Sequence, residues 1–136
     1  MTEAVLDASV ILKWLRSEGE RHADAAVAIK AAFEAGDLAV AAPTFLRLEI
    51  LNVAGHRWRL PTDALRRIAA GLDDLRFNFV EPPLLRIAYW TSEGLTAYDA
   101  AYVAVAEAIG VPLITDDDRI PLIASGIAER LGDWGG

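Results

Sequence analysis

Short apolar runs alternate with longer segments of helical spacing along this chain, and the first and last of these runs stop at acidic residues. Ala4-Val5-Leu6 ends at Asp7, and Leu113-Ile114-Thr115 ends at Asp116-Asp117-Asp118; Leu38-Ala39-Val40-Ala41 and Phe77-Asn78-Phe79-Val80 lie between them. Runs this short and this apolar fit strands buried on both faces. The spacing predicts helices over Val10–Leu15, over 22–35 ahead of Gly36, over Phe45–Arg57 after Pro43, and from Pro61-Thr62-Asp63 onward. Two more follow: Leu84–Ser92 between Pro82-Pro83 and Gly94, and Ala100–Ile109, which Thr96-Ala97-Tyr98-Asp99 opens as a capping box and Gly110 and Pro112 end. Strands that alternate with helices imply right-handed crossovers, hence an α/β fold with a parallel sheet covered on both faces.

At 136 residues the expectation is one domain over 1–136, with no repeat, linker or low-complexity tract. A hydrophobic content of 54% excludes disorder, and the lack of cysteine excludes disulfides and thiolate metal sites. Met1-Thr2-Glu3 has no basic start, so a soluble, cytoplasmic protein is expected. The most apolar stretch, Ala100 to Thr115, contains Glu107, Gly110 and Pro112 and falls short of the roughly 20 residues of a membrane span. The net charge of −7 disfavours a generic polyanion binder, so the acids require a role of their own.

Ligands of open parallel sheets bind beyond the carboxyl ends of the strands, where Asp7 and Asp116-Asp117-Asp118 fall. Glu49 sits among Phe45, Leu46, Leu48, Ile50, Leu51 and Val53, on a helix expected to bury most of its girth, with Asn52 three residues on. Asp99 heads an almost wholly apolar helix. Singly, each acid has an ordinary structural role available: Asp7 as a helix cap, Asp99 as the acid of its capping box, Asp118 as a partner of Thr115.

Together they do not fit those roles, because the sheet brings Asp7, Asp99 and Asp117 to one edge with Glu49 beside them. Four carboxylates make six pairs, each repelling by roughly 3 kcal/mol at about 5 Å and an effective dielectric near 20, so protonation or a divalent cation must relieve them. All-oxygen donors suit Mg²⁺ or Mn²⁺, and with no Cys and two His a zinc site is disfavoured. Phosphoryl transfer is the natural use of such a site, with water activated by the cation. Arg47, Arg57, Arg59, Arg66 and Arg67 form a basic cluster that either holds a nucleic-acid backbone or is a solvated face, and Trp58 could stack a base. No Gly-x-Ser-x-Gly elbow, Gly-x-Gly-x-x-Gly fingerprint or Walker A loop is present, and neither His22 nor His56 has an evident nucleophile partner.

Val5-Leu6-Asp7-Ala8-Ser9, Leu46-Arg47-Leu48-Glu49-Ile50-Leu51-Asn52, Leu95-Thr96-Ala97-Tyr98-Asp99-Ala100-Ala101-Tyr102 and Pro112-Leu113-Ile114-Thr115-Asp116-Asp117, in this order and spacing, resemble the PIN-domain ribonucleases. Within them the chain is similar to the VapC toxins of type II (VapBC) toxin-antitoxin systems. The resemblance implies a three-layer α/β/α fold with a small, mostly parallel sheet. It further implies that Asp7, Glu49, Asp99 and Asp117 are the acidic quartet binding one or two Mg²⁺ or Mn²⁺ ions, with Ser9, Asn52 and Thr115 in support. The family pattern Thr-x-Asp selects Asp117, while Asp116 fills the variable place and leaves open which carboxylate points inward. A homodimer, endonucleolytic cleavage of RNA, and inhibition by a VapB-like antitoxin whose C-terminal segment covers the acidic groove are implied as well. Other readings of the same acids are a housekeeping RNA-processing nuclease, a metal-dependent phosphatase, and a non-catalytic module that binds a cation or a partner.

Overall fold

The computed structural model describes residues 2–135. Its centre is a five-stranded, wholly parallel sheet in the order β3-β2-β1-β4-β5. The strands are β1 (Thr2–Leu6), β2 (Leu38–Pro43), β3 (Asn78–Val80), β4 (Leu113–Thr115) and β5 (Ala128–Arg130). Val5 pairs with Ala41 of β2 on one side and with Leu113 of β4 on the other, which makes β1 the central strand. Ala4, Val5 and Leu6 are accordingly buried, and this accounts for an unbroken apolar run where an alternating one would serve a half-exposed strand.

From β1 the chain moves outward to β2 and β3, then returns past β1 to β4 and β5. Right-handed crossovers therefore put α1 (Ala8–Leu15), α2 (Ala23–Glu34), α3 (Leu46–Asn52) and α4 (Thr62–Asp73) on one face. The return journey puts α5 (Leu84–Ser92), α6 (Ala97–Ile109) and α7 (Arg119–Ile123) on the other. The direction reverses between β1 and β4, and a crevice opens at such a switch point beyond the strand ends.

Two packing devices fix the layers. Below α1 and α2, Trp14, Phe33 and Phe77 form an aromatic triangle with centroids 5.0–6.1 Å apart, and the Trp14 indole N–H donates to the Ala26 carbonyl at 2.9 Å. On the opposite face α6 buries every residue from Ala100 to Ala106, and its alanines let the helix lie close against the sheet. Gly110 ends it in the left-handed region at φ 71°, where a β-carbon would be strained.

The helix expected over Phe45–Arg57 is two segments. α3 stops at Asn52, and Val53–Arg57 continues as a π-helical turn closed by the Trp58 N–H donating to the Val53 carbonyl. Nor does α3 bury most of its girth: Leu46, Ile50 and Ala54 form one buried stripe, and Leu48 is 70% exposed. α7 and β5 were not expected; both are very short, and Ala128-Glu129-Arg130 lacks the apolar run by which the other strands are recognised. Among the described residues no helix is long and apolar enough to cross a membrane.

Phe77 is 8% exposed and touches three other aromatic rings. Phe77→Ala is therefore expected to lower unfolding stability by about 3–5 kcal/mol. Denaturant melts should show a lower midpoint at unchanged slope; a loss under about 1 kcal/mol would mean that the aromatic triangle does not hold the layers together.

Candidate active site

Asp7 follows directly on β1 and caps α1, its carboxylate accepting from the Ser9 backbone N–H at 3.1 Å. The same oxygen, Oδ1, accepts from the Ser9 hydroxyl at 2.5 Å, and Oδ2 accepts from the Thr115 hydroxyl at 2.5 Å. Both hydroxyls are themselves held by the loop after β4. Asp116 N–H donates to Ser9 Oγ at 2.9 Å and Asp117 N–H donates to Thr115 Oγ1 at 3.0 Å. Two hydroxyl relays thus tie each oxygen of Asp7 to the backbone of Asp116 and Asp117, across the β1–β4 crevice.

The other acids reach the same edge from different elements. Asp99 lies in the first turn of α6, its N–H donating to Thr96 Oγ1 at 3.1 Å, which is half of the expected capping box. Glu49, on α3, accepts from the buried Tyr102 hydroxyl of α6 at 2.7 Å. Asp117 Oδ1 accepts from the Arg119 N–H at 2.8 Å. Tyr102 escapes the sequence argument, although its position three residues after Asp99 puts it on the same helical face and could have pointed to it.

These carboxylates feel one another. Burial, opposed by the hydrogen bonds from Ser9 and Thr115 and reinforced by the charge of Asp99, pushes the Asp7 carboxyl up to about 7. Glu49 is raised by desolvation, with Tyr102 acting against it and Asp99 adding to it. Asp99 is raised by desolvation and by Asp117, with Thr96 and Arg119 in opposition. Tyr102 is raised by its own burial and by Glu49, so it stays protonated and remains a donor.

Asp116 goes the other way. Its side chain leaves the crevice and meets Lys13 Nζ at 3.1 Å, Arg21 Nε at 3.2 Å and His22 Nδ1 at 2.8 Å. Desolvation at that position is outweighed by His22, Lys13 and Arg21, which hold the carboxyl below the usual range. Lys13 is buried on α1 and His22 stands at φ 57°, so the latch is set by packing as well as by charge. Of the two adjacent acids it is Asp117 that Asp99 feels, and Asp116 that is neutralised. Asp118 pairs with Arg21 at 3.2 Å and Arg130 at 3.7 Å, not with Thr115.

Among the described residues, Asp7, Glu49, Asp99 and Asp117 form no ion pair, and no three His, Cys, Asp or Glu side chains converge closely enough to cage a metal ion. The four acids make an open rim. A small hard cation that keeps several of its waters and binds through one or two carboxylates plus a substrate phosphate is suited to such a rim, and the all-oxygen donor set fits Mg²⁺ or Mn²⁺. Asn52 is exposed on α3, one helical turn from Glu49. Of the arginines, Arg47 lies over the Phe79 ring at 4.2 Å and Arg57 and Arg59 are exposed, while Trp58 is covered on one face by Arg16 at 4.9 Å.

Comparison with known proteins is consistent with this layout. The family model described as PIN domain matches residues 4–125. Comparison with curated proteins gave no match. Among solved structures, PAE2754 from Pyrobaculum aerophilum is 26% identical, with a TM-score of 0.62 over 96% of this chain and 91% of that one. VapC20 from Mycobacterium tuberculosis, described as a sarcin-ricin loop cleaving toxin, is 16% identical, with a TM-score of 0.63 over 91% and 95%. A toxin-antitoxin complex from Klebsiella pneumoniae is 20% identical, with a TM-score of 0.60 over 93% and 96%.

The raised carboxyl of Asp7 has a thermodynamic signature. Between about pH 4 and pH 7 the folded chain keeps a proton that the unfolded chain, with an ordinary carboxyl near 3.8, has released. Stability must therefore fall as pH rises through that window. In EDTA the Tm is expected to drop by several degrees from pH 4.5 to pH 7.5, and Asp7→Asn should flatten most of that slope and melt higher than the parent at pH 7.5. Parallel pH profiles for the two proteins would show that Asp7 is not held in an uncompensated site.

Proposed function

Because the chain belongs to the PIN domain family, we propose that it is a divalent-metal-dependent endoribonuclease. The observation that carries this reading is selective neutralisation. Three basic groups meet Asp116, whereas its neighbour Asp117 shares a rim with Asp7, Glu49 and Asp99 that has no ion-paired cation among the described residues. Among the described residues the chain makes ion pairs to Asp116 and none to these four acids, where only Arg119 acts on Asp99 from a distance, which leaves them open to a cation from outside.

In this reading Asp7, Glu49, Asp99 and Asp117 hold one or two Mg²⁺ or Mn²⁺ ions. The ion, when bound, offsets charge on the scissile phosphate and makes water a nucleophile at neutral pH. The chain's own residues do the rest. Ser9 and Thr115 fix both oxygens of Asp7, so that its carboxylate meets a ligand in one orientation. Tyr102 holds Glu49 in the same manner, and Thr96 fixes the turn that presents Asp99. The Lys13–Asp116 latch draws Asp116 away and leaves Asp117 beside Asp99. Protons compete for these carboxylates, so occupancy by the cation rises with pH through the range in which Asp7 titrates.

The biological role proposed is that of a cytoplasmic toxin of a type II toxin-antitoxin pair, acting as a homodimer that a VapB-like antitoxin inhibits by covering the acidic rim. It is supported by the fold shared with VapC20 and with the Klebsiella toxin-antitoxin complex. An antitoxin frame beside its gene and toxicity on expression distinguish this role from RNA processing.

The test uses purified, antitoxin-free protein. It should cut RNA with Mg²⁺ or Mn²⁺ and not with EDTA, and Asp99→Asn should slow cleavage by at least about a hundredfold while melting as one folded species. Mn²⁺ should raise the Tm of the parent and leave that of an Asp7→Asn/Asp99→Asn double variant unmoved. An Asp99→Asn protein that cleaves as fast as the parent overturns the assignment.

A further inference from the structure

Phe45, Leu48, Leu51, Asn52 and Tyr98, together with Glu49, line an open groove of about 710 Å³. The groove runs into the acidic rim: Glu49 belongs to both, and Tyr98 directly precedes Asp99. Apolar surface is presented here, not buried. Tyr98 is 64% exposed and Leu48 is 70% exposed. The Tyr98 ring is nonetheless oriented, because Phe45 stands edge-on to it with centroids 5.6 Å apart, and edge-on in turn to Tyr102 at 5.5 Å. One aromatic chain therefore runs from the exposed ring to the hydroxyl that holds Glu49. Asn52, exposed on the same helix, adds an amide that both donates and accepts.

The occupant that fits has a flat apolar face for the ring, a hydrogen-bonding edge for the amide, and an attached phosphate for a cation that the carboxylate rim would hold. An unpaired nucleobase has all three. A bare phosphomonoester leaves the ring and the amide without partners, and a duplex keeps its faces stacked inside the helix. We infer that this groove is a nucleobase subsite, in which Tyr98 stacks on, and Asn52 reads the edge of, an unpaired base adjoining the scissile phosphate. The inference rests on the ribonuclease reading above and adds to it the two side chains, Tyr98 and Asn52, that would hold the base.

The experiment places 2-aminopurine at successive positions of a short single-stranded RNA and binds it to the full chain in Ca²⁺, with the oligonucleotide checked to remain intact. Fluorescence should be quenched at one or two adjacent positions on saturable binding. Tyr98→Ala should abolish that quenching and weaken binding roughly 5- to 150-fold, the loss of one base–aromatic stack. Tyr98→Phe should retain the quenching, and Val27→Ala, an exposed apolar change on α2, should match the parent. In Mn²⁺, Tyr98→Ala should raise KM more than it lowers kcat, and an abasic nucleotide at the quenched position should erase the difference between variant and parent. Quenching that survives Tyr98→Ala, or saturable binding without quenching at any position, overturns the subsite. So does a Leu48→Glu change that splits a dimer in sedimentation while RNA affinity stays the same, since a second copy then fills the groove. A chain that binds and quenches as expected but cleaves no RNA in Mn²⁺ keeps the subsite and overturns the nuclease. Failure to bind any RNA overturns both.

Discussion

The buried carboxyl group of Asp7, which makes no ion pair among the described residues, is the constraint around which the rest of this structure is arranged. A charge at 4% exposure is tolerated only if its lone pairs are satisfied, and the chain satisfies them with two hydroxyls and a backbone N–H rather than with a cation. Ser9 comes from the helix that Asp7 caps, and Thr115 comes from the strand next to β1. The carboxylate can be held this way only where β1 and β4 are neighbours, so the strand order and the site are one requirement. The same geometry presents Asp117, through its N–H on Thr115, to the side of the crevice where Asp99 begins α6.

Charge is distributed around this point with opposite logic on its two sides. On the α1 and α2 side, Lys13, Arg21 and His22 gather on Asp116. On the α3 and α6 side the only side-chain donor to Glu49 is a neutral phenol, among the described residues. The chain's acidity is therefore not diffuse. One part is consumed internally and another is kept open, a distinction that the overall charge of −7 conceals.

Much of this was legible in the sequence because the signals were local. Asp7, Asp99 and the acids after Thr115 are marked by the strand ends and caps beside them, and four of the five strands declare themselves as apolar runs. What the sequence hid depended on contacts between distant segments. Which of Asp116 and Asp117 turns inward is decided by Lys13, Arg21 and His22, roughly a hundred positions away in the chain. The exposure of Leu48 contradicts its hydrophobicity, so a helical-period argument places it in a core that α3 fills only with Leu46 and Ile50. β5 is too short and too polar to announce itself, and its pairing with β4 is needed to see it. The π turn after Asn52 likewise leaves no mark in an apolar pattern that continues through it.

The relay from Asp7 to Thr115 joins residues 108 positions apart, and β4 is flanked by β1, which is made well before it. A chain synthesised from its N-terminus can form β1, β2 and β3 with their helices early, yet Asp7 has no Thr115 and Asp99 no Asp117 until β4 and the loop after it have emerged. The order of synthesis thus acts as a timer: β1, β2 and β3 are made well before Thr115 and Asp117, so the acidic site is assembled only once β4 has joined β1.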